Sequence, residues 1–194
     1  MARPIGYNPH EVLTKTMNIF WTKGYEATSI QDIVKATGLK PGSLYNIYGN
    51  KDGLFEAVLE MYAKNALEEA LKILNKSNNP IENIENFLYE VVATSISNEE
   101  TNGCLLVKTL LVVSHKDKKI QSYITDVFSN VETILKETLQ KAINAEQTKV
   151  NAIHFSKFII TTIYGAHVYY KSNHDKSALQ ETLHFLLEIL HDKD

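Results

Sequence analysis

Small, polar and aromatic side chains follow one another between Lys40 and Lys51, and they are suited to hydrogen bonding rather than to bond making. Hydroxyl and amide groups pair with base edges or phosphates, small residues let a helix approach the bases, and lysines neutralise phosphates. The residues concerned are Lys40, Gly42, Ser43, Tyr45, Asn46, Tyr48 and Lys51. This pattern favours contact with a nucleic-acid duplex.

These residues belong to the second of two short helices that the apolar spacing predicts at about 29–37 and 40–48. The turn Thr37-Gly38-Leu39 joins the two helices and carries the glycine that is typical of a helix-turn-helix. A buried inner side is predicted for Ile30, Ile33, Val34, Leu39, Leu44, Ile47 and Tyr48. The sequence therefore predicts a helix-turn-helix motif over about residues 29–48.

The rest of the chain repeats the three- and four-residue apolar spacing, and no alternating pattern bounded by hairpin turns appears. The predicted fold class is all-α, with about nine helices. The other helices are predicted at 9–23, 51–75, 81–96, 104–113, 118–145, 148–172 and 176–191. We expect an N-terminal DNA-binding domain over residues 1–50 and a larger helical regulatory and dimerisation domain over residues 51–194.

The charge of the chain is divided unevenly about Lys51. The whole chain of 194 residues has a net charge of -3, yet residues 1–51 hold six basic and three acidic side chains, and the remainder holds 14 basic and 20 acidic ones. Such asymmetry suggests that the N-terminal end meets a polyanion. The single cysteine and the absence of a long apolar stretch predict a cytoplasmic location.

Over about residues 6–66 the chain closely resembles the TetR family of bacterial transcription regulators. The residues that carry the resemblance are Phe20, Gly24, Tyr25, Thr28, Ser29, Ile30, Ile33, Ala36, Gly38, Leu39, Gly42, Ser43, Leu44, Tyr45, Tyr48, Lys51 and Leu54. The resemblance implies that Ser43, Tyr45, Asn46 and Lys51 face DNA and that Thr28 touches the DNA backbone. Ile47 departs from the pattern, because relatives often carry a histidine or tyrosine there.

The same resemblance implies a homodimer formed by the last two helices, which would bind a pseudo-palindromic double-stranded operator as a repressor. The sequence supports this, since broad apolar faces at 159–168 and 183–190 exceed what one small subunit would cover. Two recognition helices would then lie roughly 34 to 36 Å apart, or a multiple of that spacing.

Cys104 is predicted to stand at the N-terminus of a helix, where exposed amides lower a thiol pKa. Gly103-Cys104-Leu105 and Lys108 resemble a NemR-like subgroup of the family, and the resemblance implies that Cys104 senses electrophiles or oxidants together with Lys171. A structural cysteine that acts as a small hydrophobe is the alternative.

A reversibly bound apolar effector is the second sensing mode. Aromatic and imidazole side chains could line its pocket, although such residues more often belong to a plain core. The candidates are Phe87, Tyr123, Phe128, Tyr164 and His167, together with Tyr89, Phe158 and Tyr170.

Motifs for phosphate, dinucleotide, metal or nucleophile chemistry are absent from the sequence. We therefore expect no cofactor, no metal and no enzymatic activity. The alternative to a DNA-binding regulator is a helical small-molecule carrier or enzyme that does not bind DNA.

Overall fold

The computed structural model describes residues 7–96, 103–112 and 117–192. Within these ranges the secondary structure is helical throughout, which confirms the predicted all-α class. The described residues form nine helices, which are α1 Pro9–Lys23, α2 Ile30–Thr37, α3 Pro41–Tyr48, α4 Lys51–Leu74, α5 Pro80–Ile96, α6 Leu105–Val112, α7 Lys118–Asn144, α8 Ala152–Asn173 and α9 Lys176–His191.

The chain separates into two compact units. The first unit ends at Lys64, and the second begins at Asn65. The first unit holds α1 to α3 and the first part of α4, whereas the sequence-based division at Lys51 placed α4 with the second domain. The second unit holds the rest of α4 and helices α5 to α9. Helices α7 and α8 contact each other extensively, and α5 contacts both α7 and α9.

Helix α2 begins at a reciprocal capping arrangement. The backbone N–H of Asp32 donates to Ser29 Oγ at 3.1 Å, and the backbone N–H of Ser29 donates to Asp32 Oδ2 at 2.9 Å. Lys23 at the end of α1 lies 2.7 Å from the other carboxylate oxygen of Asp32. The hydrogen bonds from Lys23 and then from Ser29 hold the pKa of Asp32 well below its usual range. One carboxylate therefore ties the start of α2 to the end of α1.

Helix α8 begins at Ala152 rather than at Thr148, the predicted start. Asn151 caps the helix, because its side-chain oxygen accepts the backbone N–H of His154 at 3.0 Å. Thr148 is buried, and its hydroxyl accepts the N–H of Val150 in the preceding turn. The predicted end of α6 at Val113 lies outside the described residues, as does most of the predicted break at 97–103.

The second unit has one continuous apolar core. Its fully buried members come from α4, α5, α7, α8 and α9 and include Leu74, Ile84, Leu135, Leu139, Ile159 and Leu190. Burial of these side chains contributes roughly 1.5 to 3 kcal/mol each. This core holds α5, α8 and α9 at the positions where the polar groups described below meet.

The capping box generates a stability prediction for the first unit. Ser29→Ala removes the acceptor for the Asp32 N–H, and we expect the free energy of unfolding to fall by about 1 kcal/mol. Urea unfolding followed by the fluorescence of Trp21 measures it, because this single tryptophan lies in α1, with its ring against Tyr62. Ser29→Thr keeps an acceptor oxygen and should recover most of the loss. Equal stability of the alanine and threonine variants would contradict the assignment.

Candidate functional site

Helix α3 exposes most of the residues predicted to contact a duplex. Lys40, Gly42, Tyr45 and Asn46 are exposed, and Ser43 is half-buried. A Cβ atom at Gly42 would meet nothing within 4 Å, so this side of the helix is open to an approaching surface. The structure therefore brings these side chains together on one face.

Ile47 does not lie on the inner side of α3 as predicted, because its side chain is 40% exposed. In an α-helix, positions four apart share a face, so Ile47 lies on the same face as Ser43. Tyr48 is half-buried. Burial, with Tyr7 nearby, raises the pKa of its hydroxyl.

Two buried side chains and one glycine position α3. Leu44 is 2% exposed and Ile33 of α2 is fully buried. Gly38 ends α2 with φ of +73°, and its N–H donates to the carbonyl of Val34. Few residues other than glycine adopt this left-handed conformation, so Gly38 fixes the turn between the two helices.

Thr28 is buried, at 2% exposure, and its hydroxyl donates to the carbonyl of Gly24 at 2.7 Å. Its side chain is thus already engaged in closing the turn that follows α1.

Lys51 is positioned by Tyr25, which sequence reasoning did not single out as part of the site. The Lys51 ammonium lies 4.4 Å from the centroid of the Tyr25 ring, and the Tyr25 hydroxyl donates to Asp52. The other neighbours of this ring are Phe20 and Phe55. A cation over an aromatic face is attracted by the ring quadrupole, so Tyr25 holds the charge of Lys51 near the start of α4.

Gly53 permits the close approach of α4 to the end of α3. A Cβ atom at this position would lie 2.1 Å from the carbonyl oxygen of Tyr48, which no side chain could accommodate. The backbone N–H of Gly53 instead donates to Asn50 Oδ1 at 2.8 Å. This contact sets the start of α4 and hence the place of Lys51.

A second group of candidate residues gathers in the C-terminal unit. Cys104 directly precedes α6, and its carbonyl accepts the backbone N–H of Lys108 at 3.0 Å. Burial, with Cys104 and Glu132 nearby, raises the pKa of the Tyr164 hydroxyl. The Tyr164 ring lies 4.2 Å from the ring of Phe128. Tyr164 therefore lies close to both Cys104 and Phe128.

Lys108 and Lys171 lie close enough to influence each other electrostatically. Burial first, and then the like charge of Lys171, lowers the pKa of Lys108 to about 8. Lys171 is exposed on α8, whereas Lys108 is half-buried on α6. Two cations therefore border the segment that carries Cys104.

His167 lies beside Ser95 in a largely apolar region. Its Nδ1 lies 3.1 Å from Ser95 Oγ, and burial lowers its pKa to about 4. Gly103, which lies shortly before α6, approaches the His167 ring, since a Cβ atom built at Gly103 would lie 3.9 Å from His167 Nδ1. Phe87 is buried in the core, and Tyr123 is half-buried on α7.

In the described ranges, no three histidine, cysteine or acidic side chains come together in a way that could hold a metal ion. Among the same residues, no helix combines the length and apolar character needed to cross a membrane.

Family models match both parts of the chain. The model for bacterial regulatory proteins of the tetR family matches residues 12–58, and the model for the C-terminal domain of LmrA/YxaF-like transcriptional regulators matches residues 80–184. The second match alone spans more than half of the chain.

Curated relatives and solved structures agree with these matches. The HTH-type transcriptional repressor ComR of Escherichia coli is 28% identical over 167 residues, which cover 84% of this chain and 80% of ComR. A cysteine mutant of the regulator CifR, solved with operator DNA, has a TM-score of 0.84 at 22% identity and covers 97% of this chain and 100% of its own. Reduced NemR of E. coli has a TM-score of 0.84 at 17% identity, and the match covers 95% of this chain and 98% of the NemR chain.

The fold and the exposed α3 define a helix-turn-helix DNA-binding protein. The chain belongs to the TetR family of bacterial transcription regulators, and its C-terminal part is LmrA/YxaF-like. The sequence-based prediction of a DNA-binding regulator rather than an enzyme is thereby confirmed.

The environment of His167 generates a prediction about pH. Because the folded-state pKa of about 4 lies below the ordinary value of 6.5, the unfolded chain binds a proton first as the pH falls. The stability associated with the neutral ring is complete above pH 6.5 and is lost between pH 6.5 and 4. Between pH 7.5 and 5 we expect a loss of about 2 kcal/mol from this group.

Thermal and urea unfolding of the wild type and of His167→Asn over this pH range measure the loss. The asparagine variant should lack this part of the pH dependence, whereas His154→Asn, which changes an exposed histidine on the same helix, should retain it. Parallel pH profiles for the wild type and His167→Asn would show that the ring is not held neutral by burial.

Proposed function

We propose that this protein is a homodimeric repressor that binds a pseudo-palindromic operator through α3 and releases it when an effector reaches the C-terminal unit. The observation that carries the proposal is the open face of α3, with Gly42, Tyr45 and Asn46 exposed beside Ser43. The names of two similar proteins support it, because ComR is a repressor and CifR was solved with a 26bp operator.

The size and surface of α3 suit the major groove. An α-helix with its side chains has a diameter of about 10 to 12 Å, which fits a major groove about 12 Å wide, and α3 supplies eight residues of such a helix. The hydroxyl of Ser43 and the amide of Asn46 can pair with base edges, and Asn is suited to adenine. Exposed Ile47 offers an apolar contact to a thymine methyl group. These residues would therefore supply the sequence preference.

Phosphate contacts would come from the ends of helices. Lys51 stands in the first turn of α4, where backbone amides and the helix dipole also favour an anion. Lys40 precedes α3 and is exposed. Such contacts fix the position of the protein on DNA and make its affinity depend on salt.

The last two helices carry apolar side chains that a single chain leaves exposed. Ile153, Phe158, Val168 and Tyr169 on α8 and Phe185 on α9 are each more than 40% exposed. Large apolar side chains grouped on two adjacent helices are typical of an interface. A second copy that packs its α8 and α9 against them would bury this surface and set two α3 helices for the two halves of an operator.

Selection of binding sites from random duplex DNA tests the proposal. We expect a pseudo-palindrome, and Lys51→Ala should lower the affinity uniformly across sequences. It should also reduce the slope of log affinity against log salt by about 2, because the dimer loses one phosphate contact in each subunit. Lys72→Ala changes an exposed lysine farther along α4 and should leave the slope unchanged. Absence of enrichment at low salt would overturn the proposal, and an unchanged slope for Lys51→Ala would remove Lys51 from the interface.

Modification of Cys104 is the second candidate for the release step, as in the predicted NemR-like mode. Its support is the position of Cys104 next to α6, close to Tyr164 and one helical turn from Lys108. The Cys104 thiolate would add to an electrophilic carbon of an activated alkene, forming an S–C bond as the C=C π bond breaks. The neighbouring carbon would take a proton from water, which leaves as hydroxide.

Treatment with N-ethylmaleimide tests this mode. We expect alkylation to weaken operator binding at least tenfold in the wild type and to leave Cys104→Ser unaffected, since this is the single cysteine in the chain. Stoichiometric labelling, confirmed by mass spectrometry, without any change of operator affinity would show that Cys104 is a structural residue.

A further inference from the structure

A small cavity lies between α5, α8 and α9 in the C-terminal unit. Its volume is about 20 Å³, and apolar side chains from all three helices line most of it, among them Leu88, Val91, Ile163 and Leu186. The polar lining groups are His167, Thr162 and Thr182. The hydroxyl of Thr182 donates to the carbonyl of Ala178 at 2.8 Å, so it is engaged within its own helix.

The hydrogen bonds of Ser95 decide which nitrogen of His167 carries the proton. Ser95 Oγ lies 2.6 Å from the carbonyl oxygen of Val91, and only the hydroxyl hydrogen can make that bond. The single hydrogen of a hydroxyl is then used, so Ser95 Oγ must accept from His167 Nδ1–H at 3.1 Å. The network assigns the Nδ1–H tautomer to the neutral ring, and Nε2 is left as an acceptor.

This acceptor has no partner in the part of the chain that the structure describes, because the bond to Ser95 through Nδ1 is the one hydrogen bond of the ring. His167 lines the apolar cavity, so an unpartnered acceptor on its ring would select a ligand that brings a hydrogen-bond donor. A ligand that brings only a carbonyl or ether oxygen would face Nε2 with a second lone pair and would be disfavoured.

A surface groove of about 430 Å³ shares two of its lining residues with the cavity. The groove runs between α5 and α9 and is lined by Tyr89, Ala93, Ile96, Gln180, His184 and Leu187, together with Val92 and Leu183. Val92 and Leu183 also line the cavity, so these two side chains form the wall between the two spaces.

Size shows that the cavity alone is insufficient for an organic ligand. A cavity of 20 Å³ has room for about one water molecule, whereas a benzene-sized ligand occupies a cavity of roughly 150 Å³. Displacement of the Val92 and Leu183 side chains would join the cavity to the groove and provide that volume. The ring of the ligand would then replace the apolar wall, and its polar atom would reach His167.

We propose that the cavity and the groove together form a binding site for a small phenol-like alcohol, whose ring lies between Val92 and Leu183 and whose hydroxyl donates to His167 Nε2. As the effector site of a repressor this assignment rests on the proposed function, but the binding itself does not depend on DNA. Burial, which keeps the His167 ring neutral, also keeps Nε2 available as an acceptor near neutral pH.

Calorimetric titration of the protein without DNA tests the site, with phenol as the probe. We expect saturable binding of phenol that is at least tenfold tighter than binding of toluene, which lacks a donor, or of benzaldehyde, which has only an acceptor. Absence of phenol binding, or equal affinities for the three compounds, would overturn the proposal.

Two variants identify the groups involved. His167→Phe keeps a ring but removes the acceptor, and it should reduce the affinity for phenol at least tenfold while toluene binds as before. Ser95→Ala removes the partner that fixes the tautomer and should reduce the preference for phenol over benzaldehyde, whereas Ser172→Ala, at an exposed serine on α8, should not change it. Phenol binding that is unaffected by both His167→Phe and Ser95→Ala would overturn the proposal.

The nitrogen chemical shifts of His167 give an independent measurement that needs no variant. We expect Nδ1 to be protonated and Nε2 to be unprotonated in the wild type, with a further shift of Nε2 when phenol binds. The opposite tautomer would overturn the assignment of the ligand class.

Operator binding separates this proposal from the proposed function. If phenol binds as expected but the operator affinity stays the same, the site is supported and release by this class of effector is wrong. If the chain binds no operator, the proposed function fails while the titration still decides about the site.

Discussion

Helix α3 depends on the burial of Leu44. A helix of eight residues is too short to be stable alone in water, since helices below about 12 residues are marginal even with favourable sequences. Leu44 is 2% exposed and is the one fully buried side chain that α3 contributes. Burying a single side chain leaves the other faces of α3 available, and this is the condition for a helix that must enter a groove.

The rest of the first unit supports that single contact. The capping box of Ser29 and Asp32 fixes the start of α2, Gly38 fixes its end, and Gly53 lets α4 begin directly beyond α3. Each of these devices acts on the backbone, so the orientation of α3 depends little on flexible side chains. The aromatic cluster around Tyr25 in turn holds the charge of Lys51 in place.

The second unit combines a large apolar core with a few buried polar groups. Such groups are costly unless hydrogen bonds satisfy them, and the bond between Ser95 and His167 does this for one nitrogen of the ring. Lys108 is only half-buried, yet its pKa is lowered, since burial and the charge of Lys171 both oppose protonation. His167 lines the cavity, and Lys108 lies one helical turn after Cys104.

The sequence by itself determined the class of the fold and the helix-turn-helix, because these depend on local periodicity, caps and glycines, and its resemblance to TetR regulators indicated the family. Helices α1 and α9 have the predicted bounds for this reason. Tertiary structure decided the rest. Ile47 is exposed, Thr28 is buried, Tyr25 holds Lys51, and Ser95 selects the tautomer of His167. These depend on contacts between residues up to 72 positions apart, which spacing along a single helix cannot specify.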